Sequence, residues 1–159
     1  MNGEFVSRRL VKNRLLSALP TAEFDFIEPH LRATTFETGT LIARAGDGLK
    51  NCYFPNNGMI SLLCVTSHGG SVEAGYTGFE GMVGLPTLFG KNEMPYEALI
   101  QAPTDCLVVD SAVVLDLFNR HGVFHDTGKQ CPLVRNAGDE GRAVIKHIAI
   151  GCRAGFNRF

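Results

Sequence analysis

The segment Glu80-Gly81-Met82-Val83-Gly84-Leu85-Pro86-Thr87-Leu88-Phe89-Gly90 constrains this chain most. It is a glycine-punctuated turn that runs into one short apolar helical turn. After a gap comes Tyr96-Glu97-Ala98-Leu99-Ile100-Gln101-Ala102, which alternates like a strand. Free backbone N–H groups at a short helix start, closed over by side chains of the next strand, are how a β-roll wraps a phosphate.

The rest of the chain supplies such a roll. Leu10, Val11, Leu15 and Leu19 recur at helical spacing and predict a helix over 7–19 that Pro20 stops. A second helix is expected from Thr21, as N-cap, with Phe24, Ile27 and Leu31 on its apolar face and Pro29 limiting it. From Arg32 the period changes to short strands. Thr34-Thr35-Phe36 and Thr40-Leu41-Ile42-Ala43 flank the turn Glu37-Thr38-Gly39, and Gly46-Asp47-Gly48 breaks the chain before Cys52-Tyr53-Phe54. Asn57-Gly58 then carries the signal of a type I′ turn before the apolar run Met59 to Thr66. After the turn Ser67-His68-Gly69-Gly70, the residues Val72, Ala74 and Tyr76 alternate with Ser71, Glu73 and Gly75, as in a half-buried strand. Glu97 to Gln101 and Cys106 to Val109 are two more strands, and Ser111 can cap a helix through Phe118 to Asn119. Two helices, about eight short strands and a closing helix predict a mainly β protein, a double-stranded β-helix or jelly-roll β-barrel with flanking helices.

Composition narrows the setting. The 159 residues are one domain by size, and 45% hydrophobic with 19% charged residues describes a soluble globular chain. Eighteen glycines suit a fold of many tight turns. A formal charge of −1 pulls the chain neither onto nucleic acid nor onto an anionic membrane. No apolar run approaches a membrane span, and the basic, amphipathic N-terminus is not a secretory signal. The five cysteines are odd in number and widely spaced, with no CxxC pair. Cys52, Cys64 and Cys106 read as buried small hydrophobes, and a reducing cytoplasm is the expected location.

Read together, Asn13-Arg14-Leu15-Leu16, the Gly46-Asp47 turn, Tyr53-Phe54, Gly58-Met59-Ile60-Ser61 and the segment from Glu80 to Pro86 resemble the cyclic nucleotide-binding domain of Crp/Fnr-type bacterial regulators, over 13–118. The resemblance implies a sensory roll, not an enzyme. It places the ligand pocket at Gly84, Leu85, Pro86, Tyr96, Glu97 and Ala98. Nucleotide-binding members carry a glutamate for the ribose where Leu85 stands, an arginine for the cyclic phosphate at Tyr96, and a serine or threonine at Glu97. Tyr96 offers one neutral hydroxyl in place of a bidentate guanidinium. Glu97 would oppose the phosphate, and two like charges about 4 Å apart cost about 4 kcal/mol at an effective dielectric of about 20. The resemblance therefore implies a roll that does not hold cAMP or cGMP tightly. Its pocket is filled by apolar residues or takes another small-molecule effector, neutral or cationic. No cofactor is expected. An iron–sulfur cluster, used by some relatives, lacks its thiolate ligands, because no cysteine precedes Cys52.

His121 and His125 stand at i, i+4 spacing, but with no third ligand in sight they read as two exposed histidines near a helix end, so no metal site is expected. His68 reads as exposed, the strands carry no histidine for a cupin-type metal, and no serine or cysteine sits in a nucleophile elbow. Residues 1–120 form the expected roll. In the family a dimer helix and a DNA-reading helix-turn-helix follow. Here residues 121–159 carry six glycines and Pro132, each glycine costing a helix about 1 kcal/mol and proline about 3. Only Ala143 to Ile150 looks helical, and the mild basic excess of the tail reads as a solvated surface. The tail is atypical in place of the dimer helix, and a reading-frame change near Asp126-Thr127 would account for it. DNA contact would come only through a helix-turn-helix absent from this chain, a homodimer is open to it, and no membrane partner is expected. The alternative readings are a ligand-free scaffold or dimerisation module, or a fragment of a regulator.

Overall fold

Among the described residues, seven antiparallel strands in two sheets form a jelly roll, with helices packed on one side. The computed structural model describes residues 6–65, 69–88, 90 and 93–130. The expectations for His68 and for the segment Ala143 to Ile150 lie outside the described residues.

The strands are β1 (Arg32–Phe36), β2 (Leu41–Ala43), β3 (Asn51–Pro55), β4 (Met59–Val65), β5 (Ser71–Thr77), β6 (Glu97–Ala102) and β7 (Thr104–Asp110). One sheet has the order β1-β7-β3 and the other β2-β6-β4-β5. The helices are α1 (Arg14–Ser17), α2 (Thr21–Ile27), α3 (Leu85–Leu88), α4 (Ser111–Asn119) and α5 (Val123–Gln130), with 3₁₀ turns at Arg8–Leu10 and Glu28–His30.

Both faces of the three-stranded sheet are covered, which explains the unbroken apolar run Cys106 to Val109. Cys52 and Phe54 of β3 and Leu107 and Val109 of β7 pack with the helices, against Leu16, Phe24, Ile27, Val114 and Leu117. Cys106 and Val108 point the other way, into the roll, where they meet Ile60, Leu62, Ala98 and Ile100 of the four-stranded sheet. Period-2 alternation along β7 thus builds two cores from one strand.

Several local expectations are corrected. The helix over 7–19 is broken into a 3₁₀ turn and α1, because the buried Asn13 side chain interrupts it: Asn13 Oδ1 accepts from the N–H groups of Leu15 at 3.1 Å and Leu16 at 3.3 Å, so α1 starts afresh there. The helix α2 starts at Thr21, with Pro20 rather than Thr21 in the N-cap position and no side-chain cap bond. Asn57-Gly58 is no type I′ hairpin. Gly58 has φ of +69° but Asn57 does not have positive φ, and the turn carries the chain from β3 in one sheet to β4 in the other. The Asn57 side chain is instead tied to Asp105, accepting from its N–H and donating to its carboxylate, both at 2.7 Å. Val72 and Tyr76 are 59% and 41% exposed, because β5 is an edge strand. Cys64 is only half-buried, whereas Cys52 and Cys106 are buried. The cap of α4 is Asp110, whose carboxylate accepts from Ala112 N–H, rather than Ser111. The strand β7 runs from Thr104 to Asp110, longer at both ends than the expected Cys106 to Val109.

The junction after α4 is tied to the body by Glu23. Its carboxylate on α2 accepts from the N–H groups of Val123 at 2.7 Å and Phe124 at 2.9 Å, at the start of α5. Phe124 and His125 are buried beside α4.

Candidate ligand-binding site

The glycine-rich segment docks on the edge of the three-stranded sheet. Tyr53 N–H donates to Val83 O at 3.0 Å and Val83 N–H to Tyr53 O at 2.9 Å, a single antiparallel bridge to β3. Gly84, at φ of +119°, follows. A side-chain carbon there would sit 2.7 Å from Cys52 Sγ and 3.3 Å from Cys52 Cα, so only glycine lets the backbone pass this close to β3. The chain then enters α3, where Thr87 Oγ1 donates to Gly84 O at 2.6 Å. The sequence expectation of a glycine turn leading into one helical turn and then a strand describes this layout.

The six expected pocket residues do not form one surface. Leu85 packs with the helix-side core, as does Leu88. Tyr96 and Ala98 lie in the roll core, with Val83 and Met94. Gly84 stands where the two regions meet. Pro86 and Glu97 are half-buried, and Glu97 is in register with Leu63 of β4. Tyr96, at 2% exposure, is packed among apolar side chains.

An open groove of about 300 Å³ lies beside these residues, lined by Leu41 to Arg44, Asp47 to Asn51, Tyr53 and Met94. None of the six expected residues lines it. Its floor is held by the turn after β2: Gly46 N–H donates to Met94 O at 2.8 Å and Met94 N–H to Asp47 O at 2.9 Å. Arg44 and Lys50 outnumber Asp47 on its walls. Tyr53 Oη donates to Ile42 O at 3.4 Å, and burial raises its phenol above the ordinary value. The Gly46-Asp47 turn and Tyr53 were visible in the sequence as landmarks. Arg44, Lys50 and Met94 were not singled out, because nothing local marks them as neighbours across the groove.

The thiols near the site are not poised for chemistry. Burial pushes Cys52, beneath Gly84, and Cys106, in the roll, up to about 12. Among the described residues no cluster of three or more His, Cys, Asp or Glu side chains could hold a metal ion. The histidine expectation is corrected in part: His121 is exposed, but His125 is only 6% exposed and packs against Phe118 with ring centroids 4.8 Å apart. No helix among the described residues is long and apolar enough to cross a membrane.

An antiparallel roll with a glycine-rich docking segment on one sheet edge defines a class of regulatory domains. The chain belongs to the cyclic nucleotide-binding domain family, whose pattern matches residues 33–121, more than half of the sequence. No curated protein matches it. Among solved structures it is similar to the catabolite activator protein of Thermus thermophilus, at 20% identity and a TM-score of 0.62, over 76% of this chain and 56% of that one. It is also similar to the sensor domain of the transcriptional regulator DNR from Pseudomonas aeruginosa, at 12% identity and a TM-score of 0.64, over 76% and 81%. A third is the regulatory subunit of a cAMP-independent protein kinase A from Trypanosoma brucei, a triple mutant bound to cAMP in its A site, at 16% identity and a TM-score of 0.58, over 74% and 47%. At these identities the likeness is one of fold. The chain spans about half the length of several fuller chains that it matches.

Proposed function

We propose that this chain is the sensory roll of a Crp/Fnr-type transcription regulator that does not bind cAMP or cGMP tightly. The observation that carries the reading is Tyr96, buried in the apolar roll core at the position where the resemblance calls for a phosphate-binding guanidinium. A phenol packed among Val83, Met94 and Ala98 supplies no charge to a buried phosphodiester, and the carboxylate of Glu97 follows it in the chain. Leu85, in the ribose position, is committed to the helix-side core. The Trypanosoma subunit supports the idea that this fold serves cAMP-independent regulation. A small-molecule effector of this roll works by preferring one position of the helices that flank it. DNA contact would be made by a helix-turn-helix outside the roll.

Calorimetric titration with cAMP and with cGMP is the test. The expected outcome is no saturable binding in the micromolar range, and micromolar affinity for either nucleotide overturns the reading. A thermal-shift screen of small molecules then searches for the effector, because a ligand of the native state alone raises the unfolding temperature.

A further inference from the structure

We infer that His121 and His125 form a two-imidazole chelate for a borderline divalent transition ion (Zn²⁺, Ni²⁺ or Cu²⁺) at the elbow between α4 and α5. Nδ1 of His121 lies 3.2 Å from Nε2 of His125. Two nitrogens each about 2.0–2.1 Å from one ion are about 2.9 to 3.4 Å apart, from octahedral to tetrahedral angles. The observed separation falls inside that bite.

The surroundings fit the same chemistry. Nδ1 of His125 is 3.1 Å from Oδ1 of Asp126. With that carboxylate as acceptor, Nδ1 keeps its proton and Nε2 presents its lone pair towards His121. This is the carboxylate–histidine arrangement that orients and strengthens a metal-binding imidazole. In the ion-free protein the shared contact is a hydrogen bond, with His121 Nδ1–H donating to His125 Nε2. Chelation needs the His121 proton to move to Nε2, a neutral tautomer exchange through water with no net proton released. His121 has a left-handed backbone, at φ of +56°, in the turn between α4 and α5. Phe118 backs the His125 ring. Arg120, the residue before His121, is engaged elsewhere, over the Phe26 ring at 3.7 Å and against Asp116 at 3.3 Å. Two protein nitrogens leave the remaining positions of the ion to water or to a donor from another molecule. Coordination would fasten the first turn of α5 to the end of α4, next to the Glu23 clamp.

The test is a titration of the full chain, free of any polyhistidine tag, with Ni²⁺ alone and with Zn²⁺ alone, read by imidazole NMR signals. The expected result is that His121 and His125 respond together at one equivalent, before His30, His68 and His147 do. His121→Ala, with its fold checked by far-UV ellipticity, should abolish the one-equivalent response, and His125→Gln should do the same. Asp126→Asn, which keeps the ligands and removes the orienting charge, should weaken binding about tenfold. Responses that begin at other histidines, or a His121→Ala chain that binds as tightly as the parent, overturn the proposal.

Discussion

At the scale of single residues, conformation and space both require a glycine at Gly84. Its φ of +119° disfavours any L side chain, and a Cβ would press on Cys52 Sγ and on Leu49 Cδ2 at 3.0 Å. The backbone penalty alone is about 1–3 kcal/mol, and relief of the overlap would have to move β3. Gly84→Ala is therefore expected to cost more than about 2 kcal/mol in urea denaturation. A loss of a few tenths would mean that the segment from Gly81 to Leu85 swings freely away from β3. Tyr96 gives the contrasting case. It is buried in the roll core, and in the proposed reading its significance is chemical: an apolar ring with one hydroxyl stands where a nucleotide-binding roll needs a cation.

Among the elements, α1 and its Asn13 cap tie the N-terminal segment to the docking loop. Asn13 Nδ2 donates to Pro55 O at 2.9 Å and to Gly81 O at 2.8 Å, while its Oδ1 caps α1. Arg14 N–H adds a bond of 2.7 Å to Phe79 O. Asn13→Ala strands two carbonyls and two N–H groups at once and is expected to cost about 2 kcal/mol or more, read as a lower urea midpoint. Hydrogen exchange should quicken at Leu15 and Leu16 together with the docking loop, and unchanged exchange at the loop would show that the two are not coupled. This cap also explains what was legible in the sequence. The strands were readable because short apolar or alternating runs between turn residues are local signals, and α4 was readable because its apolar spacing runs unbroken. The break at Asn13 was not, because a side chain folded back on the next turn leaves no mark on apolar spacing. Asn57-Gly58 announced a turn but not its destination, since membership of a sheet is settled by pairing partners far along the chain. Within the candidate site, Gly84 and Tyr96 were visible as special residues. That Leu85 and Tyr96 serve different cores was not, because the boundary between those cores is the three-stranded sheet itself.

For the whole molecule, β7 decides whether the two cores are one cooperative unit. Leu107 and Val109 belong to the helix-side core, and Cys106 and Val108 belong to the roll. A strand cannot unfold on one face only, so loss of either core removes a wall of the other. The natural chromophores separate the two sides. Tyr53 and Tyr96 sit at the roll core, so tyrosine emission follows that side, while far-UV ellipticity follows the helices packed on the other. Leu107→Ala creates its cavity under the helices and is expected to cost about 2–5 kcal/mol. If β7 welds the cores, that substitution lowers the urea midpoint of tyrosine emission as much as that of ellipticity, with the slope of the transition unchanged. Val108→Ala, on the opposite face of the same strand, should shift both signals together by a smaller amount, in keeping with its smaller side chain. Midpoints that separate in either variant would mean that the helical layer melts from the roll, and that an effector in the roll could not move the helices through β7.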